Sequence, residues 1–211
     1  TQGFTLVNHM PNYVWYDDDA FLQWKVQPYG QPYEAWRSIE QSNIKLCVTY
    51  DTPVNNSAST IYEKTCQWAS NCSTSDSVFS EILEHVSTGT DGYQYWPYEM
   101  SRMPEIFTCG ALLEVEAGRC GAFADYMMKC VNYHGINDKI AYYCFANQQP
   151  DSYPYFDAND NSIQYWFRVN HTDRNSTTPA QVLFPDHELV CSQSVNAQGF
   201  RTLWDPSYGI T

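Results

Sequence analysis

Basic residues are scarce. Eleven lysines and arginines stand against 24 aspartates and glutamates, a formal charge of −13. They form no cluster, so nucleic acids and anionic membrane surfaces, which need basic patches, are excluded as partners. Long apolar runs are missing too: nothing approaches the ~18 residues of a membrane span. No C-x-x-C pair occurs, which argues against a zinc ribbon or a thioredoxin-like redox site. Repeats, low-complexity tracts and a convincing linker are also lacking. The 211 residues therefore read as one domain, 1–211, with residues 1–40 as an N-terminal extension packed on it. That length supports a hydrophobic core without help from disulfides.

Aromatics and cysteines are plentiful. Seventeen tyrosines and seven tryptophans would suit sugars or extended peptides, although most of these rings read as core. Eight cysteines (Cys47, Cys66, Cys72, Cys109, Cys120, Cys130, Cys144 and Cys191) point to an oxidising, secreted or extracytoplasmic setting with two or three disulfides. The N-x-S/T sequons at Asn55, Asn71, Asn170 and Asn175 fit that setting, although composition alone would give roughly two. The first residue is Thr1 and no signal-peptide pattern follows it, so localisation rests on the cysteines and sequons.

Residues 1–32 read as an irregular arm with a short helix near Ala20–Trp24. Tyr33–Gln41 reads as a helix with Ala35 and Ile39 on one face, and Ile44–Tyr50 as a strand ended by Asp51-Thr52-Pro53. Helical spacing follows at Ile61, Thr65 and Trp68, and again at Val78, Ile82 and Val86 before Gly89. Thr90–Cys109 is a long aromatic loop of the kind that often serves function. A helix from Cys120 to His134 has Ala124, Met127, Met128 and Val131 as its apolar face and Gly135 as its cap. Strands are expected over Lys139–Ala146, Ser162–Val169, His187–Cys191 and Gly199–Trp204. Helices first and strands second is the α+β pattern.

The chemistry-bearing residues begin at Gly118-Arg119-Cys120-Gly121, a tight turn opening directly into that helix. A thiol at a helix N-terminus meets the partial positive charge of orphan N–H groups, which favours its thiolate form. The thiolate is the nucleophile; a histidine beside it can act as base, and an acid on the second ring nitrogen fixes the tautomer. Asp186-His187 and Trp204-Asp205-Pro206 supply these downstream, 18 residues apart, a gap that two antiparallel strands and a hairpin would bridge. The Cys120 backbone N–H is one oxyanion donor. His171 is the rival base, but Asn170-His171-Thr172-Asp173 reads as a turn; His9, His85 and His134 have no supporting context. Trp166 reads as core. Asp157–Asn161 lacks the glycine and glutamate of a calcium loop and reads as a solvated turn. No metal and no cofactor are expected.

Leu112-Leu113-Glu114, Gly118-Arg119-Cys120-Gly121 and Phe123-Ala124 together resemble the nucleophile motif of the transglutaminase-like cysteine enzymes, and within them that of the peptide:N-glycanases. Asp186-His187 and Asp205-Pro206 are similar to that family's later motifs, in the family's order, and the resemblance covers roughly residues 75–208. The chain lacks the N-glycanases' paired C-x-x-C zinc ligands, has a longer interval of 67 residues from Cys120 to His187, and continues its histidine strand with Glu188-Leu189 rather than an aromatic. The resemblance implies a transglutaminase-core (papain-like) fold, with the nucleophile helix on an antiparallel sheet. It implies Cys120, His187 and Asp205 as a triad, with Gln94 and Trp96 as candidate second oxyanion donors. The expected activity is hydrolysis of amide bonds in a protein, peptide or glycoprotein substrate through a thioester acyl-enzyme. Alternatives are glutamine acyl transfer, deglycosylation of asparagine-linked glycans, a non-catalytic binding module on the same fold, and a disulfide-stapled structural protein.

Overall fold

The computed structural model describes residues 11–27, 29–30, 36–54, 59–89, 92–95, 108–145, 167–168, 183–184, 186–199 and 201–207. Its first elements correct two expectations. In place of an irregular arm and a helix through residue 41, β1 (Trp15–Val26) and β2 (Arg37–Val48) form an antiparallel ribbon that runs through residue 40 without a break. The Ala35–Ile39 spacing offers a single helical repeat. Against it stand cross-strand pairs such as Trp15 with Val48 and Ala20 with Ile44, and pairs of this kind stabilise a sheet by packing. The run Asp17-Asp18-Asp19 is poor strand sequence. The register slips there, and the Asp19 N–H donates to Asp17 Oδ1 at 2.9 Å, so the acidic run becomes a bulge.

The ribbon is tied down at its root. Val14 is fully buried; its N–H donates to the Cys72 carbonyl and its own carbonyl accepts from Asn71, both at 2.8 Å. The Tyr16 hydroxyl donates to Glu63 at 2.8 Å, and Lys45 pairs with the same carboxylate oxygen. The Lys45 bond, and then the Tyr16 bond, hold Glu63 below the usual carboxylate range. Further out, Phe21, Trp24, Val26 and Ile39 are exposed.

Glu63 belongs to α1 (Ser59–Trp68), and α2 (Ser75–Thr88) follows, both where the apolar spacing puts them. Thr74 and Ser77 cap α2 reciprocally, and Gly89 ends it in the left-handed conformation, φ 73°. A two-residue strand β3 (Gln94–Tyr95) precedes α3 (Cys109–Val115), a helix the apolar pattern did not announce: it is two turns long, and of its apolar side chains only Cys109 and Leu112 are buried. Then come β4 (Ala117–Gly118), α4 (Cys120–Tyr133), β5 (Lys139–Phe145), β6 (Phe167–Arg168), β7 (Leu183–Phe184), β8 (Asp186–Ser192) and β9 (Leu203–Trp204). The expected strand over 162–169 is described only at β6; of that over 199–204, Leu203 and Trp204 form β9, while Gly199, Arg201 and Thr202 lie outside any strand. Helices and small, mostly antiparallel sheets make the described residues α+β. No described helix is long and apolar enough to cross a membrane.

The centre of the fold is α4. Cys120 through Ala124 are all buried, as are Tyr126, Met127, Cys130 and Val131, so apolar surface runs nearly round the helix. Such a helix needs neighbours on every side, and α4 touches α1, α2, α3, β5 and β8. At its far end the chain reverses at His134-Gly135. The segment after β2 seals this corner: the Asp51 N–H donates to the His134 carbonyl and the Val54 N–H to that of Asn132, each at 3.0 Å.

His134 is itself part of the core, fully buried, with the Tyr50 N–H donating to its Nδ1 at 3.4 Å. Burial pushes its imidazole down to about 4, against an opposing pull from the Thr65 backbone. In an unfolded chain the ring titrates near 6.5. Between those values the unfolded chain binds the extra proton, so stability falls as pH falls. About 2 kcal/mol is expected to be lost between neutral pH and a pH one unit above the folded value. Urea titrations of the native chain and of His134→Gln at both pH values isolate this loss, since the carboxylates titrate in both proteins. An equal loss in the two would remove His134 as the cause.

Candidate active site

The position expected to carry the nucleophile is built by two short turns. α3 ends at Glu116, whose φ of 60° is left-handed, and its N–H donates to the Leu112 carbonyl. β4 then pairs in parallel with β3, Gln94 opposite Ala117 and Tyr95 opposite Gly118. This brings the Gln94 backbone beside the strand that leads into Cys120; Trp96 lies outside the described residues. Arg119 is the extended N-cap residue of α4 and makes no side-chain cap bond. Phe123 is the first residue to return an N–H into the helix, to the Arg119 carbonyl at 3.2 Å. The N–H groups of Cys120, Gly121 and Ala122 therefore belong to the orphan set that opens every helix. Cys120 is a free thiol, 5 % exposed.

Of the other two expected triad residues, His187 lies in β8 of the sheet β5–β8–β9 and Asp205 directly follows β9. α4 packs on β5 and β8, and only the five residues 134–138 connect it to β5, so β5 runs back along the helix. Fourteen helical residues and seven strand residues both span about 20 Å. The last residues of β5 thus come level with Cys120. β8 is antiparallel to β5, with His187 opposite Cys144, so β8 begins at that same end. β9 is antiparallel to β8, with Trp204 opposite Val190 and Leu203 opposite Cys191. Asp205 follows directly as an isolated bridge residue outside this pairing. Position 187 is the second residue of β8, whereas Asp205 directly follows β9, whose two residues pair towards the other end of that strand. Val190, of the opposite parity, is packed in the core.

Asp205 is 4 % exposed, and its Oδ1 accepts the Ser207 N–H at 2.9 Å. Ser207 is fully buried and was not singled out from the sequence, although Asp-Pro-Ser carries the spacing of an Asx turn, in which a carboxylate accepts from the backbone two residues on. Trp204 is fixed next door. Its ring meets Phe79 edge-on at 4.7 Å, and the Lys139 ammonium lies 5.1 Å from the Phe79 ring centre and 5.5 Å from that of Trp204. Lys139 is buried and also pairs with Asp138 at 2.7 Å.

Nearby groups have other duties. Asp125 accepts the Cys109 N–H, at the start of α3, and the Lys129 ammonium, both at 2.9 Å, and so joins α3 to α4. Burial pushes the Cys109 thiol up to about 11, which keeps it protonated and unreactive. His85 stacks on Trp68 with ring centres 5.1 Å apart. His9, His171, Trp166, the Asp157–Asn161 turn and the sequons at Asn55, Asn170 and Asn175 lie outside the described residues. Asn71 is exposed, with φ 71°. Among the described residues no group of three or more histidines, cysteines or carboxylates is arranged to hold a metal.

Compared with protein-family models, curated proteins and solved structures, the chain matches none of them.

Proposed function

We propose that this protein is a cysteine-dependent hydrolase of amide bonds with Cys120 as nucleophile, His187 as base and Asp205 as the residue that orients His187, on a transglutaminase-like core. The observation that supports the proposal is topological: α4, which opens at Cys120, packs on β5 and β8, His187 stands opposite Cys144 near the start of β8, and β9, which leads into Asp205, pairs with the same strand. In the proposed reaction the Cys120 sulfur attacks the amide carbonyl, and the backbone N–H groups at the head of α4 stabilise the oxyanion. His187 delivers a proton to the departing nitrogen, leaving a thioester. Water, deprotonated by His187, then releases the acid and restores the thiol. The proposal requires the imidazole to reach Cys120 round the beginning of β8 rather than through the face of the sheet, because Val190 fills that face.

The near-complete burial of Cys120 favours a second reading, a non-catalytic binding module of the same architecture. Iodoacetamide labelling of the native protein, followed by mass mapping, separates the two. A hydrolase should be alkylated at Cys120 well before Cys66, Cys109 and Cys130, in parallel with loss of casein or glycopeptide cleavage. Labelling of Cys120 no faster than that of these core thiols would support the binding module.

A further inference from the structure

A second pair of sulfurs lies away from this site. Cys47 is near the end of β2, paired with Tyr16 of β1, and Cys66 is in the last turn of α1. Cys66 Sγ lies 3.8 Å from the carbonyl oxygen of Val48, the residue next to Cys47, and the two thiols are close enough to perturb each other's ionisation. Cys66 is fully buried, whereas Cys47 is partly open to solvent. Two regular elements, further tied by the Lys45–Glu63 ion pair and the Tyr16–Glu63 bond, hold the two sulfurs together. Burial raises both thiols above their ordinary range, so neither is suited to nucleophilic catalysis.

We propose that Cys47 and Cys66 form a disulfide that staples the β1–β2 ribbon to α1. With glutathione disulfide as oxidant, the Cys47 thiolate attacks one glutathione sulfur, the glutathione S–S bond breaks, and one glutathione thiolate leaves. Cys66 then attacks the Cys47 sulfur of the mixed disulfide, expelling the second glutathione thiolate, which takes up the Cys66 proton. The two protein thiols lose two protons and two electrons, and glutathione disulfide is reduced to two thiols. Cys47 takes the first step because only it can be reached from solvent. The bond closes the chain between residues 47 and 66, and a closed loop of that size is expected to raise the thermal midpoint by about 6–10 °C.

The test starts from fully reduced, folded protein equilibrated with glutathione disulfide, quenched with acid and digested without reduction. Trypsin cuts at Lys64, between Cys47 and Cys66, and chymotrypsin cuts at Trp68, between Cys66 and Cys72. The expected product is a Cys47–Cys66 linked peptide, with the midpoint shift lost in Cys47→Ser. Recovery of both cysteines as alkylated thiols, or of either one linked to a different cysteine, overturns the proposal. The mapping uses the unmodified chain, so a failure of Cys66→Ser to fold leaves the result intact, and neither outcome bears on Cys120.

Discussion

Replacing Cys120 with alanine is expected to lower kcat for amide hydrolysis by about 10⁴-fold or more while leaving the fold in place. The nucleophile has no substitute at the head of α4, because the nearby Cys109 is held protonated by burial and its neighbour Asp125 is committed to α3 and Lys129. Alanine is a strong helix former, and removing one sulfur from a buried position creates only a small cavity, so the thermal midpoint should move by a few degrees at most. His187→Ala should fall to a similar rate, and the double variant should be no slower than either single one, since the members of a triad act as a unit. Steady-state kinetics on a peptide or glycopeptide that the native chain cleaves measure all three. Cys120→Ala protein that still cleaves at the native rate would end the proposal, and additive losses in the double variant would remove His187 from the mechanism.

Gly135→Ala should have the largest effect on stability, about 4 kcal/mol. The backbone there has φ 74°, and an added Cβ would lie 2.7 Å from Asp51 Cβ and 2.8 Å from the Thr52 carbonyl oxygen. The left-handed conformation costs an L-residue about 1–2 kcal/mol, and overpacking adds about 1–3. A midpoint drop of about 8–16 °C follows for a chain of this size. Gly199→Ala separates the two contributions: its φ is 83°, but nothing lies within 4 Å of its added Cβ, so only the conformational cost remains. Equal losses at the two positions would mean that the Asp51–Thr52 segment does not press on the end of α4.

The helical body was the legible part of the sequence. Val78, Ile82 and Val86 with Gly89 behind them, and Ala124, Met127 and Val131 with Gly135 behind them, are long periodic runs with chemical stops, and α2 and α4 follow them. The ribbon was not legible because its stability lies between strands rather than within either one. Tyr16 gains nothing from its own neighbours in sequence that it does not gain more of from Cys47 and Glu63. The same holds at the candidate site. Cys120 announces itself through the glycines and the helix behind it. His187 and Asp205 could be proposed by order and spacing, but their attachment to one sheet depends on β5 pairing with a strand some 40 residues later. The pairing of Gln94 with Ala117 rests on two residues per strand, too few for any alternation to register.

The enclosure of α4 sets where this molecule can breathe. Amide protons in the buried middle of that helix are expected to exchange last, while those at the far end of the ribbon should exchange from the native state. The position-120 sulfur is thus fixed to the part of the chain that comes apart last. Under the proposed function, the motion that admits a substrate must therefore come from outside α4.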